Sequence, residues 1–136
     1  MNEKFKELLE ELKRLNLPDG GYAIYGSGPM AVRGLRDAND LDIVVKDELY
    51  EKLREKYKDK EIKTGHIKIG DIEIFASFNS LIDNPEEVID RTEELNGFRF
   101  IRLEDLIRWK QKLGREKDLK DIKLIKKYLA ENRKNK

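Results

Sequence analysis

The chain contains no cysteine and a single histidine. The first absence excludes a disulfide framework, a thiolate metal site and a cysteine nucleophile. No apolar run approaches the ~20 residues that a membrane-spanning helix needs. Met1 to Leu15 alternates charge with leucine and has no apolar block of the kind a signal peptide carries. The expected location is cytoplasmic, with no membrane partner. Repeats, low-complexity linkers and internal boundaries are also missing, and typical domains run about 100–150 residues. Residues 1–136 are therefore expected to form one domain with a core of its own.

Charge is abundant, at 42% of residues, mostly Lys and Glu. Such enrichment is common in proteins from hot environments, and a thermophilic source is the expectation. The net charge of +1 conceals an asymmetry: Arg102 to Lys136 carries thirteen basic residues against six acidic. A basic third of this kind is either a solvated helical surface or a face turned toward phosphates.

Phe5, Leu8, Leu9, Leu12 and Leu15 recur at helical spacing, which predicts a helix over 2–16. Tyr22 to Tyr25 reads as a buried strand that runs into the turn Gly26-Ser27-Gly28-Pro29. A brief helix follows, with Pro29 at its first position and Gly34 at its end. Leu41 to Val45 is a second strand. Asp47 caps a helix from Glu48 to about Tyr57, with Leu49, Leu53 and Tyr57 facing inward. Strands are expected at 61–63, 66–69 and 71–78, the last two joined by a tight turn at Gly70-Asp71. Asn84-Pro85 starts a helix, and 98–101 forms a last strand. Two C-terminal helices close the chain. One spans 103–113, closed by Gly114. The other, capped by Asp118, has Leu119, Ile122, Ile125 and Leu129 inward, with a frayed tail from Arg133 to Lys136. The class is α+β (α/β mixed sheet), with a single mixed sheet flanked by helices.

Three local features suggest chemistry. In the Gly26-Ser27 turn, glycine lets backbone approach a ligand and a following helix start attracts phosphate. Such turns are also common without any ligand. In Asn39-Asp40-Leu41-Asp42, carboxylates at i and i+2 share one face of a strand. A divalent cation would relieve their repulsion. With no Cys and one His, oxygen ligands favour Mg²⁺ or Mn²⁺ over zinc. An exposed pair of edge acids is the plain alternative. Glu73, between Ile72 and Ile74, joins Asp40 and Asp42 if the two strands are neighbours; otherwise it is an ordinary outward acid.

Together these residues resemble the nucleotidyltransferase superfamily, the fold of polymerase beta, poly(A) polymerases and antibiotic nucleotidyltransferases. There a strand ends in Gly-Ser or Gly-Gly, an acid–apolar–acid triplet follows on the next strand, and a third acid stands on a later one. Here twelve residues separate Ser27 from Asp40. Phe100 to Ile107, Lys110 and Gly114 to Ile122 are similar to the C-terminal signature of small prokaryotic members, including proteins of toxin–antitoxin systems. The resemblance implies a nucleotidyltransferase fold, with Asp40, Asp42 and Glu73 as catalytic metal ligands and Gly26 and Ser27 on the triphosphate. Glu73 would also help deprotonate an acceptor hydroxyl. Two departures are a Glu where Asp is commoner and the stiff Gly28-Pro29 after the turn.

Other residues have two readings. Arg33 and Arg36 either contact a triphosphate or pair with carboxylates, and the adjacent Asp37 favours pairing for Arg36. Lys110 either reaches the nucleotide or belongs, with Arg115, to a network around Asp118 and Asp121. His66 reads as a plain strand residue, and Trp109 as a core residue or a base-stacking one.

The expected function is metal-dependent transfer of a nucleoside monophosphate from a nucleoside triphosphate to a hydroxyl on a protein, a tRNA end or a small molecule. The alternative is a non-catalytic antitoxin or regulatory module that binds a partner protein. A nucleic-acid-binding module built on the basic helices ranks third, against the near-neutral net charge.

Overall fold

A computed structural model describes residues 1–134. Its helices are α1 (Glu3–Leu15), α2 (Gly28–Ala31), α3 (Asp47–Lys56), α4 (Pro85–Asp90), α5 (Leu103–Leu113) and α6 (Glu116–Lys134). Its strands are β1 (Tyr22–Tyr25), β2 (Leu41–Val45), β3 (Glu61–Lys63), β4 (His66–Ile69), β5 (Ile72–Ala76), β6 (Glu93–Leu95) and β7 (Phe98–Phe100). All seven strands join one open sheet in the order β3-β4-β5-β2-β1-β7-β6. The sheet is mixed: β2 runs parallel to β5 and β1 to β7, and the other pairs are antiparallel. The class is thus mixed α/β, as expected.

Side-chain alternation divides the core into two layers. Ile24, Leu41, Ile43, Val45, Ile72 and Ile74 form one face, covered by Phe5, Leu8, Leu9 and Leu12 of α1 and by Tyr50 and Leu53 of α3. Burying each such side chain contributes about 1.5–3 kcal/mol. Ala23, Tyr25 and Val44 form the opposite face, packed with Met30, Val88 and Ile89, Leu103 and Leu106, and Ile125. β2, at the centre, is apolar on both faces except at Asp42.

Local chemistry sets the ends of the elements. Asn16 adopts φ 55° and donates its N–H to Lys13 O, closing α1. Asn2 uses its side chain to bind Ala38 in both directions, donating Nδ2–H to the carbonyl at 2.9 Å and accepting the N–H at 3.1 Å. That pair anchors the segment entering β2, two residues before Asp40. Gly70 takes φ 59° in the turn between the paired Ile69 and Ile72.

Several expectations need correction. α2 begins at Gly28, so Pro29 is its second residue. α3 begins at Asp47, whose carboxylate accepts a hydrogen bond from Ser77 Oγ and does not cap the helix. The strand expected over 71–78 is confined to Ile72–Ala76, because Asp71 belongs to the turn and Ser77–Asn79 curls into a single 3₁₀ turn. The strand β6 was not foreseen; its sequence Glu-Glu-Leu carries no strand pattern.

α6 begins at Glu116, and Asp118 lies in its first turn, where it accepts the Arg115 N–H at 3.2 Å. Leu119 is 52% exposed, not inward. Asp118 and Asp121 are drawn inside by basic partners, and the buried stripe becomes Asp118, Asp121, Ile122 and Ile125. The helix continues through Lys134, so it does not end near Asn132; the rest of the expected frayed tail, Asn135 and Lys136, lies outside the described residues.

Candidate metal and nucleotide site

Strand pairing brings the acids together. In the parallel β2–β5 pair Asp42 stands beside Glu73, and in the antiparallel β1–β2 pair Tyr25 stands beside Asp42. In-register neighbours share a face, so Tyr25, Asp42 and Glu73 form a row across three strands. Asp40, on the approach to β2, completes the group. One carboxylate oxygen from each of Asp40, Asp42 and Glu73 lies within 4.8 Å of the other two.

Electrostatics follow from this crowding. Burial, then the charges of Asp40 and Glu73, push the Asp42 carboxyl up to about 7, against the pull of Lys117 and Lys110. Burial and Glu73 also raise Asp40 above the ordinary carboxylate range. Burial raises the Tyr25 phenol far beyond its usual value, and Asp42 and Glu73 add to this. Like charges held in one place favour protonation, and a cation would reverse that preference. The donor set is all oxygen, which fits a hard divalent cation such as Mg²⁺ or Mn²⁺.

Glu73 has a specific partner. His66 Nε2–H donates to Glu73 Oε1 at 2.9 Å. The imidazole stacks on Phe75 with ring centres 4.4 Å apart, and its buried Nδ1 has no hydrogen-bond partner among the described residues. This arrangement was missed in the sequence. The signal was present, because His66 pairs opposite Phe75, two residues from Glu73 on the same face.

The turn after β1 closes on the same place. Gly26 adopts φ 67°, and a Cβ there would lie 2.8 Å from Asp42 Oδ2. Only glycine lets the turn lie against that carboxylate. Gly28 is also required, since a Cβ there would lie 2.4 Å from Ile24 Cγ2. A cleft of about 320 Å³ opens beside the acids, with Tyr25, Gly26, Ser27, Asp40 and Asp42 in its wall. Lys110, Arg115 and Lys117 also line it and add positive charge.

The basic candidates separate. Lys110 lines the cleft but is 3% exposed; it donates to Asp121 Oδ2 at 2.9 Å and lies 3.7 Å from Asp118. Arg36 also lines the cleft and binds both Asp121 oxygens, at 2.9 and 2.7 Å. Burial alone would raise Asp118, but hydrogen bonds from Arg115 and the charge of Lys110 outweigh it and hold the carboxyl below its ordinary range. The network around Asp118 and Asp121 therefore exists, and through Asp121 it joins two lining residues of the cleft, Lys110 and Arg36.

Of its two readings, Arg33 makes the carboxylate pair. It does not line this cleft: its guanidinium pairs with Glu93, donates to Pro29 O at 2.7 Å and lies over the Tyr128 ring. These contacts tie α2 to β6 and α6. Tyr25 and Lys117 were not singled out in the sequence, yet both face the acids. Trp109 lies edge-on to Tyr25 at 5.2 Å and donates its indole N–H to Ser80 O at 3.0 Å. Among the described residues no helix is long and apolar enough to cross a membrane. Compared with protein-family models and with curated proteins, the chain matches none.

Proposed function

We propose that the chain is a metal-dependent nucleotidyltransferase that moves a nucleoside monophosphate from a nucleoside triphosphate to a hydroxyl acceptor. The observation that carries this reading is the convergence of Asp40, Asp42 and Glu73 to within 4.8 Å, beside a cleft whose wall includes Gly26 and Ser27. Asp40, Asp42 and Glu73 would hold Mg²⁺ or Mn²⁺. When bound, the metal neutralises charge on the triphosphate as the α-phosphorus is attacked.

The chain's own residues do the rest by position. Gly26 offers a turn without a Cβ, and Ser27 a hydroxyl, for phosphate oxygens. Lys110 and Lys117 lend positive charge within the same cleft. The acceptor oxygen forms its bond to the α-phosphorus, the bond to the bridging oxygen breaks, and pyrophosphate leaves. The acceptor proton passes to Glu73, whose Oε2 is left for it by the His66 hydrogen bond to Oε1. Positioning and electrostatics supply most of the acceleration in such transfers.

The test is transfer of α-labelled nucleotide to RNA, protein and small-molecule fractions, with Mg²⁺ or Mn²⁺ present. The reading expects label in one fraction with wild type and none with Asp42→Asn at unchanged fold. Transfer that persists in that variant refutes it.

A further inference from the structure

A second, larger cleft of about 590 Å³ lies against the first. Leu81 and Trp109 line both, so the two clefts share a wall. None of the three clustered acids lines the larger one. Its charged groups are Arg91, Arg102, Arg108 and Lys112 with Asp83, Glu104 and Asp105.

These charges are not distributed evenly between surface and interior. The Asp105 carboxylate is 5% exposed and lies beneath two guanidiniums. Arg91 binds it through Nε at 2.9 Å and Nη2 at 2.7 Å, and Arg108 through Nη1 at 2.7 Å. Arg91 and Arg108 are 44% and 69% exposed, so their remaining N–H groups face the cleft and solvent. Arg102 donates to Arg91 O and meets no carboxylate among the described residues. Lys112 is held by Asp83 at the rim, at 2.9 Å. A buried acid thus holds two partly exposed guanidiniums in the wall of the cleft, with a third beside them. Arginine forks match phosphate oxygens in shape.

The shared wall has its own character. Leu81 is 53% exposed and adopts φ 63°, a left-handed conformation that is uncommon for a bulky residue. Trp109 is fixed by its bond to Ser80 O. Together they form an apolar sill between the cleft that holds Arg91, Arg102 and Arg108 and the one that holds Asp40 and Asp42.

We propose that the larger cleft is the acceptor subsite and that it takes a phosphate-bearing molecule, its phosphate held by Arg91, Arg102 and Arg108. This rests on the nucleotidyltransferase reading for the word acceptor, but not for the binding itself. A molecule lying across the Leu81–Trp109 sill has its anionic group at the arginines and its far end toward Asp42. The source of the phosphate is either a single-stranded RNA end or a small sugar phosphate.

Trp109 is the chain's one tryptophan and borders both clefts, so its fluorescence reports binding. The experiment titrates the full chain, in EDTA, with a short 5′-phosphorylated single-stranded RNA and separately with ribose 5-phosphate. Saturable quenching without metal is expected. Arg102→Met and Arg108→Met, checked for fold by circular dichroism, should weaken it about tenfold each, in line with loss of one charged hydrogen-bonding group. Both variants should leave Mg²⁺–ATP binding unchanged.

Tighter binding of the RNA assigns the phosphate to a nucleic-acid end, and tighter binding of ribose 5-phosphate assigns it to a small molecule. No saturable quenching by either probe, or wild-type affinity in either variant, overturns the proposal. Loss of Mg²⁺–ATP binding in Arg102→Met also overturns it, because the cleft would then belong to the triphosphate. Phosphate binding that depends on Arg102, in a chain that binds no triphosphate, keeps the subsite and removes the transferase reading.

Discussion

Asp42 and Glu73 stand side by side across the parallel β2–β5 pair, and Gly26 lies so close to Asp42 that a methyl group in its place would touch the carboxylate. The sheet itself therefore creates a like-charged cluster, and the consequences of that cluster can be measured.

The first concerns pH. Asp42 titrates at about 7 in the folded chain, whereas an unfolded Asp titrates at about 3.9. Between those values the native chain holds a proton that the unfolded chain has lost. Stability therefore falls as pH rises through this window and levels off above it. Asp42→Asn removes its part of that slope, and the smaller part from Asp40 stays. In EDTA the variant should melt higher than wild type at pH 8, with the difference vanishing toward pH 4. Parallel melting curves for the two proteins across this range would contradict the crowding described for Asp42.

A second prediction separates backbone strain from site geometry. Gly26 and Gly34 both have positive φ, but a Cβ at Gly34 meets nothing within 4 Å. Gly34→Ala should cost only the left-handed strain of about 1–2 kcal/mol. Gly26→Ala should cost more and should also weaken Mn²⁺ binding, because Asp42 must move. Thermal melts and Mn²⁺ titration of the two variants make the comparison.

His66 orients Glu73. His66→Leu removes that hydrogen bond and should weaken Mn²⁺ affinity by about 10–100-fold, the usual cost of losing a group that positions a metal ligand. Unchanged affinity would mean that Glu73 is held without it.

Arg33 pairs with Glu93, and its side chain is 9% exposed. Its partner Glu93 is 31% exposed, so removing Arg33 leaves a half-solvated carboxylate and empties the space the guanidinium fills against Pro29 and Tyr128. Arg33→Met should therefore lower the melting temperature while leaving triphosphate affinity unchanged. A loss of affinity at full stability would instead assign Arg33 the nucleotide contact.

Periodicity revealed most of the elements, and the reason is visible in particular residues. Leu8 and Leu12 on α1, and the alternation of Leu41, Ile43 and Val45, point to a single buried side each. β6 escaped because Glu93-Glu94-Leu95 has no apolar alternation; it pairs with β7 at the sheet edge, and Arg33 holds its first residue. α6 departs in phase from its apolar pattern because Asp118 and Asp121 are polar yet buried; Arg115 just before the helix pairs with Asp118, while Lys110 on α5 and Arg36 before β2 pair with Asp121.

The candidate site was legible in part. Asp40 and Asp42 share a face by parity alone, and Gly26 marks a close approach. That Glu73 would stand beside Asp42 depended on strand order, which one sequence does not reveal. His66, Tyr25 and Lys117 became visible only once register was known, since each acts through a neighbour on another element.

The most direct test of the central claim is calorimetric titration of Mg²⁺ with ATP, GTP, CTP and UTP into wild type and the Asp40→Asn/Asp42→Asn double variant. The account predicts metal-dependent binding of at least one triphosphate to wild type and its loss in the variant at unchanged fold. Absence of binding for all four, or binding that the variant retains, would contradict it.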